Sequence, residues 1–261
     1  MSACKILNFL ILAFICQMSW AKPADSIVVA TALWSPHFVN DQENGIYQLL
    51  LSEVYPGKHI RYIYTSYARS KHLVSTGRAD LWLGSYEQEE SWALYPHHAH
   101  DADLVAAIHL KDTPWEGSSS LSQQTVSWIS DYGFEKYLAK WQMTFYEASD
   151  LDIALKLLHG KRVRYVLDDI WEINTYLNEH PAMRNELQVT PFAIIKIYPA
   201  FKDNEKGRGL ANQWDKAMQR LSQGKLQAIF AEKDEEFLLD ACNHPAATPQ
   251  QYECLEAPGV P

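Results

Sequence analysis

Polar and aromatic side chains follow the apolar runs that predict strands in the first half of the chain, and they could bind a small polar ligand. Trp34 follows the run 26–33, where an indole could stack on an apolar or cationic part of a ligand. Arg69 lies one turn into a predicted helix, just after Tyr67, where a guanidinium could hold a carboxylate through two hydrogen bonds. Alternatively, Trp34 is an aromatic residue at the rim that packs under its own loop, and Arg69 is a solvated charge on the helix surface.

The second half of the chain offers a similar set. Tyr132 and Gly133 come just after a predicted strand and open a predicted helix. Helix N-termini expose unpaired N–H groups and favour anions, and Gly133 would let a ligand approach the backbone. Asp168 and Asp169 follow the predicted strand 164–167. Either aspartate could bind a ligand there, and either could instead cap the following helix.

One segment combines the imidazole and carboxylate groups that suit zinc or copper. It contains His97, His98, His100, Asp101 and Asp103. A polar loop between two strands is the simpler interpretation, so we expect no metal and no cofactor.

Catalysis is a further alternative. The sequence contains no serine-hydrolase, zinc-protease or phosphate-loop motif. Glu90 and Ser91 resemble the Glu–Ser pair of lytic transglycosylases, but such an enzyme needs a helical domain of its own, and none is left over. A buried carboxylate pair could still transfer protons. We expect a binding protein without catalytic residues.

Composition restricts the class of partner. The chain has 261 residues, of which 47% are hydrophobic, and a formal net charge of -9. This length allows one large domain or two lobes. Because nucleic acid binding needs a cationic face, the acidic balance argues against a nucleic acid partner.

The N-terminus has the pattern of an export signal. Lys5 precedes the apolar run 6–16, and small residues follow at Ser19 and Ala21. The run is too short for a membrane span, so residues 1–21 are predicted to be a cleaved signal peptide, with an uncleaved anchor as the alternative. No later stretch approaches membrane-spanning length, so we expect a periplasmic mature chain that is not membrane-spanning.

The cysteine positions agree with export. Cys4 and Cys16 lie in the predicted signal, and only Cys242 and Cys254 remain. Two cysteines in an exported protein most simply form one disulfide. Two free thiols and half of a metal site are the alternatives.

The rest of the chain alternates between strand and helix patterns. The predicted strands are 26–33, 59–64, 79–83, 104–110, 125–129, 164–167 and 193–198. The predicted helices are 46–54, 67–76, 134–141, 151–158, 170–178 and 210–230. This order predicts an α/β protein with mixed or parallel sheets flanked by helices.

Connector composition at 111–124 divides the chain. We predict one discontinuous lobe from residues 22–112 and 202–261, and a second lobe from residues 113–201. The chain would cross between the lobes near 110–114 and 198–203. Two crossings form a two-strand hinge.

Five segments, in this order, resemble the type II periplasmic solute-binding proteins, and in particular the family 3 group that binds polar amino acids. They are 31–45 (TALWSPHFVNDQENG), 77–86 (GRADLWLGSY), 126–138 (VSWISDYGFEKYL), 160–169 (GKRVRYVLDD) and 207–218 (GRGLANQWDKAM). The resemblance covers nearly the whole chain after the signal. It implies a two-lobed protein that captures a small polar ligand by hinge closure, usually for an ABC-type importer.

The resemblance also implies site residues. It places backbone and hydroxyl contacts to the ligand at Ser85, Tyr86 and Glu87, and an acid for the ligand's ammonium at Asp169 rather than Asp168.

One departure concerns the ligand. The group usually carries an arginine for the ligand's α-carboxylate shortly after the strand that precedes Ser85, but 86–95 (YEQEESWALY) contains none. Either Arg69 replaces it, or the ligand is not an amino acid and is cationic or neutral.

The sequence is compatible with both transport and sensing. Since the chain has no later membrane segment and no signalling domain of its own, it would act as a monomer that docks on a membrane permease or on a membrane sensor.

Overall fold

A computed structural model describes residues 26–243 and 252–256. The predicted signal peptide, residues 1–21, lies outside the described residues. The strands are β1 (Ser26–Thr31), β2 (His59–Tyr64), β3 (Leu81–Tyr86), β4 (Ala93–Leu94), β5 (Asp101–Leu110), β6 (Thr125–Ile129), β7 (Thr144–Ala148), β8 (Tyr165–Asp169), β9 (Leu187–Lys202) and β10 (Glu253–Leu255). The helices are α1 (Ile46–Val54), α2 (Tyr67–Ser75), α3 (Phe134–Tyr137), α4 (Leu151–His159), α5 (Ile170–Glu179), α6 (Glu205–Leu221), α7 (Lys225–Ala231) and α8 (Leu239–Asn243).

The strands form two half-sheets that are joined through a pair of long strands. Along the sheet the order is β2-β1-β3-β9-β5-β8-β6-β7, with β4 and β10 also paired to β9. In the first half-sheet β1 is parallel to β2 and β3, and in the second β6 is parallel to β7 and β8. Strands β5 and β9 are antiparallel to each other and to their other long neighbours. The expected α/β class with two lobes is confirmed.

The two half-sheets are joined through two strands, as the predicted two-strand hinge requires. Strand β5 pairs with β9 along its whole length, from Asp101 opposite Ile197 to Leu110 opposite Leu187. The passage between the half-sheets therefore lies inside two paired strands. Strand β9 is longer than the predicted strand 193–198 and includes Pro191, which cannot donate to a ladder. The long strand tolerates Pro191 because the register shifts there, in a β-bulge.

Helices cover both faces of the first half-sheet. On one face α1, α6 and α7 bury Leu50, Trp214 and Phe230. On the other face α2 packs Val74 against Trp82 of β3. Burial of each such side chain contributes about 1.5–3 kcal/mol. Polar residues at the strand ends line the space between the two half-sheets.

Two predicted helices are each divided in the structure. The segment 134–141 contains α3 and then a short 3-10 turn at Ala139–Trp141. The segment 210–230 contains most of α6 and then α7, because Gly224 adopts a φ of 111° between them. In both segments the helical spacing of apolar residues continues past the point where the helix is interrupted.

The C-terminal cysteines form the expected disulfide. Cys242 of α8 and Cys254 of β10 are bonded, with a Cα–Cα distance of 5.7 Å. Strand β10 runs parallel to β9 and pairs with residues 193–195. The division into residues 22–112 with 202–261 and residues 113–201 stays a prediction. None of the helices within the described ranges is long and apolar enough to cross a membrane.

Candidate ligand-binding site

A cavity of about 50 Å³ lies between the half-sheets, at the polar ends of their strands. Half of its wall is aromatic: Trp34, Phe38, Tyr47, Tyr67, Tyr86, Tyr132 and Trp171. Most of the remaining wall is acidic: Asp101, Asp103, Asp169, Glu172 and Glu236. Gly84 and Ala102 complete it. Both half-sheets and the hinge strand β5 therefore contribute to one space.

The indole of Trp34 is positioned by the glycine that faces it. Trp34 follows β1 and lies directly over Gly84, whose φ is 81°. A methyl group on Gly84 would come within 1.3 Å of Trp34 Cη2, so any other residue would displace the indole. The ring also meets Tyr47 edge-on, with centroids 6.0 Å apart.

The two aspartates of β5 face the cavity because residues two apart in a strand share a face. Asp101 accepts hydrogen bonds from the hydroxyl of Tyr47 at 2.7 Å and from the N–H of Ala102 at 2.7 Å. Asp103 accepts one from the hydroxyl of Tyr86 at 2.6 Å. Both carboxylates are thus oriented by tyrosines, Tyr47 of α1 and Tyr86 of β3.

Asp169 combines the two roles that the sequence suggested. Its Oδ1 caps α5 by accepting from the N–H groups of Trp171 at 2.8 Å and Glu172 at 3.4 Å. Its Oδ2 is buried and has no hydrogen-bond partner in the described structure. Glu172 in turn accepts from the N–H of Ser35 at 2.6 Å, which joins the half-sheets across the cavity. One oxygen of Asp169 is therefore structural, and the other is available to a ligand.

Burial makes these acids difficult to ionise. It raises the pKa of Asp103 to about 7, with the charge of Glu172 adding to the effect. Burial, and then repulsion from Asp103 and Glu172, raises the pKa of Asp169 well above its usual range. Burial also raises the pKa of Asp101. The described wall contains no lysine, arginine or histidine, so the acids face the cavity without a counter-charge.

A second buried carboxylate lies beside the cavity and has a complete set of partners. Glu89 accepts hydrogen bonds from Lys71 Nζ at 2.8 Å, the Tyr67 hydroxyl at 2.5 Å, the Ser85 hydroxyl at 2.9 Å and the Tyr86 N–H at 3.2 Å. Burial raises the pKa of Glu89, and the Lys71 charge opposes that rise. We call these residues the Glu89 cluster.

The Glu89 cluster and its loop also hold the two half-sheets together. Lys71 Nζ donates to the carbonyl of Asp131 at 3.0 Å, across the cleft. The hydroxyl of Tyr137 donates to the carbonyl of Glu87 at 2.6 Å, and Lys136 donates to the carbonyl of Glu89. The cleft is closed in this structure.

The structure brings half of the predicted site residues to the cavity. Those in its wall are Trp34, Tyr67, Tyr86, Tyr132 and Asp169. Those outside the described wall are Arg69, Ser85, Glu87, Gly133 and Asp168. Contact with a ligand stays a prediction for all ten residues, because a place in the cavity wall does not by itself demonstrate binding.

The residues outside the wall have other neighbours. Arg69 is exposed on α2, and only its backbone N–H contacts the helix cap at Ser66. Ser85 belongs to the Glu89 cluster, and a Cβ on Gly133 would lie 3.3 Å from Glu89 Cγ. Asp168 is buried and accepts from the N–H of Asp169 at 2.9 Å.

Several wall residues were not among the predicted ligand contacts. Asp101 and Asp103 stood out in the sequence only as candidate metal ligands. Their alternation just before an apolar run was the signal that both share one face of a strand. Tyr47 and Glu172 lie on helices and reach the cavity through tertiary packing, which no local pattern indicates.

The histidines of this segment do not gather around a metal position. Asp215 accepts from the N–H groups of His97 and His98 at 2.9 and 3.0 Å. His100 is buried against Tyr47, and burial lowers its pKa to about 3. Within residues 26–243 and 252–256, no group of three or more suitable side chains could hold a metal ion.

The chain matches no protein-family model and no curated protein sequence. Solved structures match its fold. A histidine kinase sensor domain with similarity to periplasmic binding proteins aligns with a TM-score of 0.64 at 17% identity, over 79% of this chain and 95% of that one. The GluR0 ligand-binding core from Nostoc punctiforme, in complex with L-glutamate, aligns with a TM-score of 0.61 at 15% identity, over 80% of this chain and 100% of that one.

A third similar structure is an amino acid ABC transporter substrate-binding protein, AbpA from Streptococcus pneumoniae, bound to L-arginine. It aligns with a TM-score of 0.60 at 17% identity, over 80% of this chain and 94% of that one. At these identities the comparisons establish the two-lobed fold of the periplasmic binding proteins.

Proposed function

We propose that this chain is an exported solute-binding protein that captures a small polar ligand between its two lobes. The observation that carries the proposal is the cavity between the half-sheets, whose wall takes Trp34 from one, Asp169 from the other and Asp103 from the hinge strand. In open α/β sheets, ligands bind beyond the carboxyl ends of the strands, which is where this cavity lies. No catalytic step is part of the proposal.

The mechanism is closure of the lobes over the ligand. Two hydrogen bonds cross the cleft, from the Tyr137 hydroxyl to the Glu87 carbonyl and from the Ser35 N–H to Glu172, and opening of the lobes would break them. A ligand that contacts both lobes adds to these bonds and shifts the balance towards the closed state by its differential affinity. A membrane partner would then recognise the closed shape.

Delivery to an ABC-type importer from the periplasm fits the export signal predicted at 1–21 and the disulfide between Cys242 and Cys254. The likeness to an ABC transporter substrate-binding protein supports this assignment.

The likeness to a histidine kinase sensor domain favours sensing as the second candidate. A sensor would signal with the ligand bound and would not deliver it. Uptake of radiolabelled ligand by cells with and without the gene separates the two, because only the importer role predicts loss of uptake.

A thermal-shift screen of residues 22–261 tests the binding function itself. We expect at least one class among amines, amino acids, organic acids and short sugars to raise the melting temperature, because a ligand that binds only the folded state stabilises it. Trp34→Ala should reduce that shift, whereas Tyr146→Ala, an exposed aromatic on β7, should not. A screen in which no class shifts the melting temperature contradicts the function.

A further inference from the structure

We infer that the ligand is an organic amine whose cationic group binds Asp103 and Asp169 among aromatic rings, and that this end of the ligand carries no carboxylate. The inference rests on the proposed function and specifies its ligand class.

The charge of the wall points to a cation. Five of its residues are acidic, and none of the described wall residues is basic. Lys71 is nearby, but its ammonium is already paired with Glu89 at 2.8 Å and Glu90 at 2.6 Å. Buried carboxylates that are ionised need a positive partner. Since the described wall residues offer no such partner, a ligand can supply it.

Unused acceptor positions point to a donor. Asp169 Oδ2 is buried and has no hydrogen-bond partner, although buried polar atoms are nearly always paired. The Tyr86 hydroxyl engages only Oδ2 of Asp103. An ammonium or a guanidinium carries several N–H donors and no acceptor, and it could bond to both carboxylates at once.

The aromatic part of the wall points to an organic cation. Trp34, Tyr132 and Trp171 present rings to the same space as the acids. Cations are attracted to the faces of such rings, and alkyl groups bury apolar surface against them. A metal ion would instead need a shell of oxygen or nitrogen ligands, and the described residues offer no such group.

A ligand carboxylate has no cationic partner among the described residues of this wall. It would face Asp103 and Asp169 with no lysine or arginine to balance it, and Arg69 is exposed on α2. Asp101 also lines the cavity, and both of its oxygens are already bonded, to the Tyr47 hydroxyl and the Ala102 N–H. For an α-amino acid, the repulsion between its carboxylate and these acids would therefore offset the binding free energy that its ammonium gains.

The size of the space agrees with a small cationic group. A water molecule needs roughly 10–15 Å³ on this measure, so about 50 Å³ holds a few waters or one amine head group. The remainder of a longer ligand would extend along the cleft towards Glu236, which is exposed at the rim.

Matched ligand pairs that differ only in the carboxylate test the inference by calorimetry at pH 8. The pairs are agmatine and arginine, cadaverine and lysine, and tyramine and tyrosine. We expect the amine of at least one pair to bind at least tenfold more tightly than its amino acid. If every binding pair prefers the amino acid, or if only organic acids or sugars bind, the ligand class is wrong and the binding function stands. If nothing binds, the proposed function fails together with the inference.

Two variants locate the cation with the amine that binds most tightly. Asp169→Asn keeps the acceptor oxygen that caps α5 and removes the charge, and it should weaken binding at least tenfold. Asp112→Asn makes the same change at an exposed site beyond the far end of β5 and should leave affinity unchanged. Equal affinities in both variants, with far-UV spectra like those of the parent, would overturn the placement at Asp169.

Discussion

The Glu89 cluster lies in the same cleft as the acids of the cavity wall, which we call the cavity acids (Asp101, Asp103, Asp169, Glu172 and Glu236). Of the two groups, only the Glu89 cluster contains a cationic side chain, that of Lys71. Glu89 is fully buried and is bonded by Lys71, Tyr67, Ser85 and a backbone N–H. The cavity acids, of which Asp103 is typical, have hydroxyl and N–H partners and no ammonium or guanidinium among the described residues.

The difference separates a structural site from a binding site. Glu89 and Lys71 neutralise each other and, through Asp131, also hold the second half-sheet. The cavity acids leave their charge unbalanced, which destabilises the empty protein and favours an incoming cation. Removing a charge should therefore have opposite effects on stability in the two places.

The largest effect is expected in the Glu89 cluster. Lys71→Met leaves Glu89 buried without its counter-ion, and we expect the free energy of unfolding to fall by about 3–5 kcal/mol. Urea denaturation at pH 7 measures it. Lys156→Met, in an exposed pair with Asp152, is the control and should change little. A Lys71→Met protein as stable as the parent would mean that Glu89 does not depend on the ammonium.

In the cavity, the corresponding change should stabilise the unliganded protein. Asp103→Asn removes a carboxylate whose pKa burial raises to about 7. At pH 8 we expect the free energy of unfolding to rise by about 2–4 kcal/mol, since the neutral amide avoids the cost of ionisation. Asp112→Asn should not change it. A loss of stability in Asp103→Asn, comparable to that in Lys71→Met, would show that the two regions do not differ.

The stability of the unliganded protein should also depend on pH because of the cavity acids. The folded-state pKa of Asp103 lies above its unfolded value near 4, so its contribution to stability is present below about pH 4 and is lost as the pH rises through about 7. We expect the unliganded protein to lose stability over this range. Tyr86, Asp169 and Glu172 face Asp103, and the two acids add to the trend.

A bound amine requires the ionised acid, so its affinity should change in the opposite direction. We expect affinity to increase by at least about tenfold, or about 1.4 kcal/mol, per pH unit from pH 5.5 to about 7, because burial raises the pKa of both Asp103 and Asp169, and both must be ionised. Calorimetry at pH 5.5, 6.5 and 7.5 measures this. An affinity that is constant, or that falls with rising pH, is incompatible with a cation held by Asp103.

The smallest effect concerns the aromatic wall. Trp34→Ala should weaken amine binding by about 1 kcal/mol, since a cation over an indole gains roughly that amount. Gly84→Ala should weaken binding as well, because the added methyl displaces the indole from its place over Gly84. Both are measured by calorimetry at pH 8, with Tyr146→Ala as the control. Unchanged affinity in Trp34→Ala would show that the indole does not contribute to amine binding.

The alternation of strands and helices could be predicted from the sequence because local periodicity carries it. Strand β2 at His59–Tyr64 and strand β6 at Thr125–Ile129 have the predicted bounds. Strand β7 was missed, because four of its five residues are exposed at the edge of the sheet and leave no apolar run. The length of β9 was missed because Pro191 is accommodated only by a bulge.

The site was predicted in part, for a related reason. Trp34 and Asp169 follow strands, so their place at the cleft could be read locally. The arrangement of Asp103 with Tyr86, and of Glu89 with Lys71, depends on contacts between residues 17 and 18 positions apart that only the fold creates. The absence of an arginine from 86–95 was visible in the sequence, and the proposed ligand class depends on it.

A crystal structure with the tightest-binding amine tests the cation site most directly. We predict the amine nitrogen within about 3.2 Å of Asp169 Oδ2 and of an Asp103 carboxylate oxygen, beside the ring of Trp34. An amine that lies outside the cleft, or a ligand carboxylate that faces Asp103 and Asp169, would contradict the assignment.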